Sequence, residues 1–230
     1  MSAGGTQIIS AFAVPIASSQ LADAGPLNAQ LRALFLEREA EGERWRKKVR
    51  TPTQQINIFE SEFDLFSWPE PPVQQLRSYC LGTLSQVVMQ LSDYSQQQLQ
   101  MLPGVKMLVD CWFHVTRYGG YIGSHIHPMA SWSGVYCVAP GEDVPDRPGS
   151  GMLCFPDFRP ATNMYVDPGN VRLKRPFGSG ALTFKQKAGE LLLFPSYLPH
   201  LVEPYFGRDE RITVAFNVSF MRPEGSSFGF

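Results

Sequence analysis

Charge is scarce in this sequence and evenly split. Only 18% of the 230 residues are charged, and 20 basic against 21 acidic side chains leave a net charge of −1. That balance removes the electrostatic case for nucleic acid or an anionic membrane surface as a partner. Cysteine is scarce too. Cys80, Cys111, Cys137 and Cys154 form no CxxC pair, and three of them lie in apolar runs. They read as small buried hydrophobes of a reducing compartment, not as a disulfide framework. No run approaches the ~20 apolar residues of a membrane span. The mildly apolar stretch from Ile8 to Ile16 has no basic segment before it and is broken by Pro15, so a signal peptide is not expected. A soluble cytoplasmic protein with no nucleic-acid or membrane partner follows. Internal repeats and low-complexity tracts are also missing.

What is present suits short strands joined by turns: 19 prolines, 20 glycines and 16 phenylalanines. The length fits one domain, residues 1–230. Residues 1–105 are expected to be mostly helical support. Leu27, Leu31, Leu34 and Phe35 recur at helical spacing, and a second helix is predicted from Pro71-Pro72 through Leu91, with Val73, Leu76, Leu84 and Val88 on its apolar face. Residues 106–222 are expected to form a β core. Strands are predicted at Met107–Tyr118 (stopped by Gly119-Gly120), Tyr121–His127, Trp132–Ala139, Met152–Phe155, Ala181–Phe184, Glu190–Phe194 and Arg211–Phe220. Such a series argues for a sandwich or barrel, a mainly β fold with N-terminal helices. The stretch from Asp157 to Gly180 reads as a long loop, of the kind that often serves as a lid.

The sequence has four histidines, and two stand in Ser124-His125-Ile126-His127-Pro128. On a strand, residues two apart share a face, so His125 and His127 would project together toward one metal ion. Two surface or core histidines would give the same pattern. The second signal is His200, reached after an apolar strand and the turn Pro195-Ser196-Tyr197-Leu198-Pro199. Eleven residues later Arg211 opens a strictly alternating segment. Ile212, Val214, Phe216, Val218 and Phe220 form one face; Arg211, Thr213, Ala215, Asn217 and Ser219 form the other. A structural strand with a wet face fits this pattern. So does a strand lining a polar cavity with Arg211 as an anion clamp, since a guanidinium grips a carboxylate with two parallel hydrogen bonds.

These stretches, together with Trp132-Ser133-Gly134-Val135-Tyr136, Ser150 through Arg159, His200 through Pro204 and Glu210 through Asn217, resemble the iron(II)/2-oxoglutarate-dependent oxygenases. The likeness is greatest to a small bacterial and phage branch, and covers roughly residues 108–220. It implies a double-stranded β-helix (a jelly-roll, cupin-like fold), Fe(II) and 2-oxoglutarate as cofactors, and hydroxylation of an unactivated C–H bond of a small-molecule or peptide substrate by O₂. His125 and His200 take the positions of the family's two metal histidines. Arg211 takes the position of the residue that binds 2-oxoglutarate, with Thr213 and Ser219 on its side of the strand, while Tyr136 and Trp132 wall the pocket.

One position departs from the family pattern. His127 stands where the usual triad has a carboxylate, which leaves the metal site one unit more positive. Three readings follow: a three-histidine site that uses 2-oxoglutarate; a three-histidine iron dioxygenase that does not; or a carboxylate from elsewhere, Asp157 being the candidate. A metal-binding cupin-like module without turnover is the non-enzymatic alternative. His114, on the face shared by Trp112 and Thr116, is a cavity residue or a structural histidine. Arg159, Lys174 and Arg175 hint at an acidic substrate or are simply solvated. The tail Ser226–Phe230 is either a frayed end or a contact in a homodimer.

Overall fold

The computed structural model describes residues 5–49, 52–94, 105–159, 161–162 and 164–221. The tail Ser226–Phe230 lies outside the described residues. In chain order the elements are β1 (Ala17–Gln20), α1 (Ala24–Ala40), β2 (Gln55–Glu60), α2 (Pro71–Leu91), β3 (Lys106–His125), β4 (Trp132–Ala139), β5 (Leu153–Phe155), β6 (Leu182–Phe184), β7 (Glu190–Pro195), β8 (His200–Val202) and β9 (Arg211–Met221). The strands join in the order β1-β7-β4-β9-β3-β8-β5-β6, all antiparallel, with β2 also paired to β3. This curled sheet is a mainly β double-stranded β-helix.

Two cores explain the sequence pattern. Helix α1 lays Leu27, Leu31 and Phe35 on the outside of the sheet, and α2 adds Val73, Leu76, Cys80 and Leu84. Phe35 stacks on Phe113 of β3 with ring centroids 4.3 Å apart. From the sheet, Val214, Phe216 and Val218 of β9 face the same core. Inside the curl a smaller cluster gathers Ile122, Phe155, Leu192, Phe194 and Val202. Strand β7 runs apolar without alternation because both its faces are buried: Leu191 and Leu193 face the helices, Leu192 and Phe194 the interior.

The N-terminal third, in which α1 and α2 are the longest elements, also contributes strands, since β1 pairs with β7 and β2 with β3. One expectation is corrected here: Gly119-Gly120 does not stop a strand; it bends one. Gly119 takes φ 76°, and a Cβ on Gly120 would meet the Asn57 carbonyl oxygen at 2.7 Å. The bend lets a single 20-residue strand serve two partners. Its first part pairs with β9 from Lys106 to Thr116, its end with β8 from Ile122 to His125. Among the described residues, no helix is long and apolar enough to cross a membrane.

Candidate metal centre

The bend in β3 creates the site. His125, the last residue of β3, is the register partner of His200, the first residue of β8. His127 lies just past the strand, its backbone N–H donating to the Ser196 carbonyl at 3.0 Å. The turn before His200 therefore holds the segment after His125. The three rings converge, with centroids 4.3 Å (His125–His200), 4.9 Å (His125–His127) and 5.1 Å (His127–His200) apart. One nitrogen from each lies within 4.8 Å of the other two. Ligands each ~2 Å from one ion lie at most ~4 Å apart, so small ring rotations suffice to close the set on a metal.

The rings are held differently. His125 donates from Nδ1 to the Gly123 carbonyl at 2.8 Å, and His200 from Nδ1 to the Leu198 carbonyl at 2.9 Å. A carbonyl only accepts, so each Nδ1 carries the proton and each Nε2 keeps its lone pair for a metal. His127 has no such anchor among the described residues; its ring rests against Trp112, with centroids 5.8 Å apart. Burial lowers the pKa of all three. The His200 value falls to about 3 and that of His127 to about 4, with His125 adding repulsion in both cases, and His125 itself is lowered chiefly by burial. Neutral imidazoles with free lone pairs at neutral pH are what a metal site requires.

A cavity of about 40 Å³ adjoins the triad, and Arg211, Thr213 and Asn217 of β9 line it. Arg211 is 4% exposed and makes no ion pair among the described residues. Burial pulls its guanidinium below the ordinary value. Thr213 is buried beside it. Asn217 accepts a hydrogen bond from Ser133 Oγ at 2.7 Å, while Ser133 and Ser196 meet at 2.8 Å. The alternation of β9 put Asn217 on Arg211's face, yet the sequence alone gave no reason to single it out. Trp112, His114 and Ser133 are further lining residues. His114 accepts from the Trp112 indole N–H at 3.1 Å and lies 3.8 Å from Glu60, which binds Lys47 through both oxygens at 3.0 Å. Burial works against the Glu60 charge, but His114 and Lys47 hold its carboxyl down at about 2.

Other expected site residues lie elsewhere. Tyr136 points to the helix side, fully buried, and its hydroxyl donates to Asn28 Oδ1 at 2.7 Å; Trp132 packs on the same core. Strand alternation sends Ser133 and Val135 inward instead. Ser219 is too far along β9 and ties down the Met129 carbonyl at 2.7 Å. Asp157 is committed to the loop: its carboxylate takes three bonds from Arg159, one from Thr162 and one from the Gly180 N–H. Its pKa is held below the ordinary range mainly by Arg159. No described residue from Asp157 to Gly180, Lys174 and Arg175 included, lines either cavity at the triad.

A curled β-helix with three converging histidines defines a class of cupin-like metalloprotein, and the comparisons narrow it. Residues 110–217 match the family described as "Putative 2OG-Fe(II) oxygenase", a span running from β3 into β9 that contains the histidine triad. No curated protein matches the sequence. Among solved structures, a prolyl-4-hydroxylase of Pseudomonas putida aligns at 17% identity over 88% of this chain and 91% of its own, with a TM-score of 0.54. A Trichoplax adhaerens prolyl hydroxylase, in complex with a hypoxia inducible factor oxygen degradation domain peptide fragment, aligns at 13% identity over 88% and 82%, with a TM-score of 0.58. HygX from Streptomyces hygroscopicus, with nickel and 2-oxoglutarate bound, aligns at 11% identity over 90% and 83%, with a TM-score of 0.50. At these identities the structural likeness is one of fold. The family match, which spans just under half of the chain, and this fold together make the chain similar to the 2OG-Fe(II) oxygenases.

Proposed function

We propose that this chain hydroxylates a C–H bond, with His125, His127 and His200 holding Fe(II) and Arg211 holding the far carboxylate of 2-oxoglutarate. The observation that carries this is Arg211 itself. A guanidinium buried without a carboxylate partner is costly, and one that lines the cavity beside three metal-ready imidazoles awaits an anion from outside. A dicarboxylate held by its other end at the metal has the right chemistry. Thr213 shares the cavity and supplies a hydroxyl to the same carboxylate.

Bound iron supplies O₂ activation coupled to oxidative decarboxylation of 2-oxoglutarate. The net reaction turns R–H, O₂ and 2-oxoglutarate into R–OH, succinate and CO₂, one oxygen atom entering each of the two organic products. The protein's own part is placement. Two rings arrive with their tautomers fixed, Arg211 and Thr213 orient the cosubstrate, and the apolar interior around Phe155, Phe194 and Val202 keeps water out. His127 in place of a carboxylate favours a second reading, a three-histidine dioxygenase that needs no 2-oxoglutarate.

The test is Arg211→Met, scored by succinate formation against 2-oxoglutarate concentration. The half-saturating concentration is expected to rise by about 100-fold, as when one partner of a buried charge pair is removed. An unchanged requirement rules out Arg211 as the clamp. Substrate oxidation that continues without 2-oxoglutarate establishes the second reading.

A further inference from the structure

Beside the triad lies a second, larger chamber of about 350 Å³, which shares Trp112, His114, His125, His127 and Asn217 with the inner cavity. It reaches the surface past Ile126 and Met129, which is 97% exposed. We infer that this chamber selects a substrate with a cationic head, an ammonium or guanidinium group, bound at Asp110 and Trp112 so that its aliphatic part reaches the triad. The inference rests on the proposed oxygenase reading and adds the substrate class to it.

The charge of the walls carries the argument. The described residues lining the chamber include two carboxylates, Asp110 and Glu60, and neither Lys nor Arg. Glu60 is already matched by Lys47, whose ammonium sits behind it. Asp110 is not matched: it is exposed and makes no ion pair among the described residues. Among the described residues the uncompensated charge of this chamber is therefore negative, opposite in sign to the cavity that holds Arg211. A dicarboxylate and a cation are thus sorted to different ends of one continuous site.

Strand geometry supplies the rest. Asp110, Trp112 and His114 follow one another at every second residue of β3, so they share its inner face and lead from the rim toward the histidines. Trp112 meets Phe63 edge-on at 4.9 Å, which gives the chamber an aromatic corner next to Asp110. A cation beside a carboxylate and over an indole face gains from both. The indole lies 5.8 Å from the His127 ring, so a head group beside the indole sits on the order of 6 Å from the triad, within the length of an extended lysine or arginine side chain. Apolar Ile126, Pro128 and Met129 suit that aliphatic stretch.

Butylguanidinium and its neutral isostere butylurea are the probes, titrated by ligand-observed NMR into the metal-free protein, wild type and Asp110→Asn. Neither head group competes for a metal ligand there. Butylguanidinium is expected to bind about tenfold more tightly. Asp110→Asn is expected to cut that ratio to about twofold or less while butylurea affinity stays within about twofold. Equal affinities, a ratio that survives Asp110→Asn, or no binding of either probe overturns the inference. Failure of the oxygenase reading shows separately, as an iron-loaded protein that does not take up 2-oxoglutarate, and leaves the probe ranking on metal-free protein intact.

Discussion

In the proposed site the chemistry turns on His127, and it is the least secured of the three histidines. His125 and His200 each lock one nitrogen onto a carbonyl two residues upstream, whereas His127 leans on Trp112 with no ring hydrogen bond among the described residues. Pre-oriented ligands lose less freedom on binding, and outer-sphere partners are typically worth 10–100-fold in metal affinity. His125→Ala and His200→Ala are therefore expected to weaken Ni(II) binding by at least about 100-fold, and His127→Ala by closer to about tenfold. Competition against a coloured chelator measures this, and equal losses at all three positions contradict the ranking. Glu60 gives a pH-dependent counterpart. Its carboxyl titrates at about 2 in the fold instead of 4.5, so the stabilisation is fully present above pH 4.5 and is lost as pH falls through about 2. Glu60→Gln is expected to cost about 3 kcal/mol at pH 7, with the difference from wild type shrinking below pH 4.5. Denaturant melts at pH 7 and pH 3 test it; a constant difference contradicts the assignment.

At the scale of elements, β9 shows what the sequence made legible. Its strict alternation put Arg211, Thr213 and Asn217 on one face and Ile212, Val214 and Phe216 on the other, and those faces are the cavity and the helix-side core. Period alone does that, because a strand has only two sides. β4 shows the limit. Its aromatic residues, Trp132 and Tyr136, drew attention as pocket walls, but the inward face is the small one, Ser133 and Val135, and the rings pack on the helices. Nothing local in Trp132–Ala139 says which face is inside. Tyr136→Phe is expected to cost about 1 kcal/mol through its bond to Asn28 and to leave 2-oxoglutarate affinity unchanged. Gly134→Ala is expected to cost about 1–3 kcal/mol, because a Cβ there overlaps the Phe216 ring. Thermal melts with a cosubstrate titration check both, and a Tyr136→Phe protein that binds 2-oxoglutarate weakly contradicts the placement.

The whole molecule divides its labour between a stiff curled sheet and the helices that back it. The site draws residues from far along the chain onto adjacent strands: His125, His127, His200 and Arg211 from the β core, Glu60 and Phe63 from the N-terminal third. The first group was visible because histidines and an arginine stand out by residue type. The second was not, because Glu60 meets His114 only through the pairing of β2 with β3, a contact across 54 residues that no local period encodes. The long loop after β5 carries its own bonds, with Arg159 and the Gly180 N–H donating to the Asp157 carboxylate.

The most direct measurement is anaerobic titration of the Fe(II)-loaded protein with 2-oxoglutarate, followed by visible absorption. A three-histidine centre facing a buried arginine is expected to give a weak metal-to-ligand charge-transfer band in the middle of the visible range, saturating at one 2-oxoglutarate per iron. A protein that holds one iron and shows no such band contradicts the central claim that His125, His127, His200 and Arg211 together seat iron and 2-oxoglutarate.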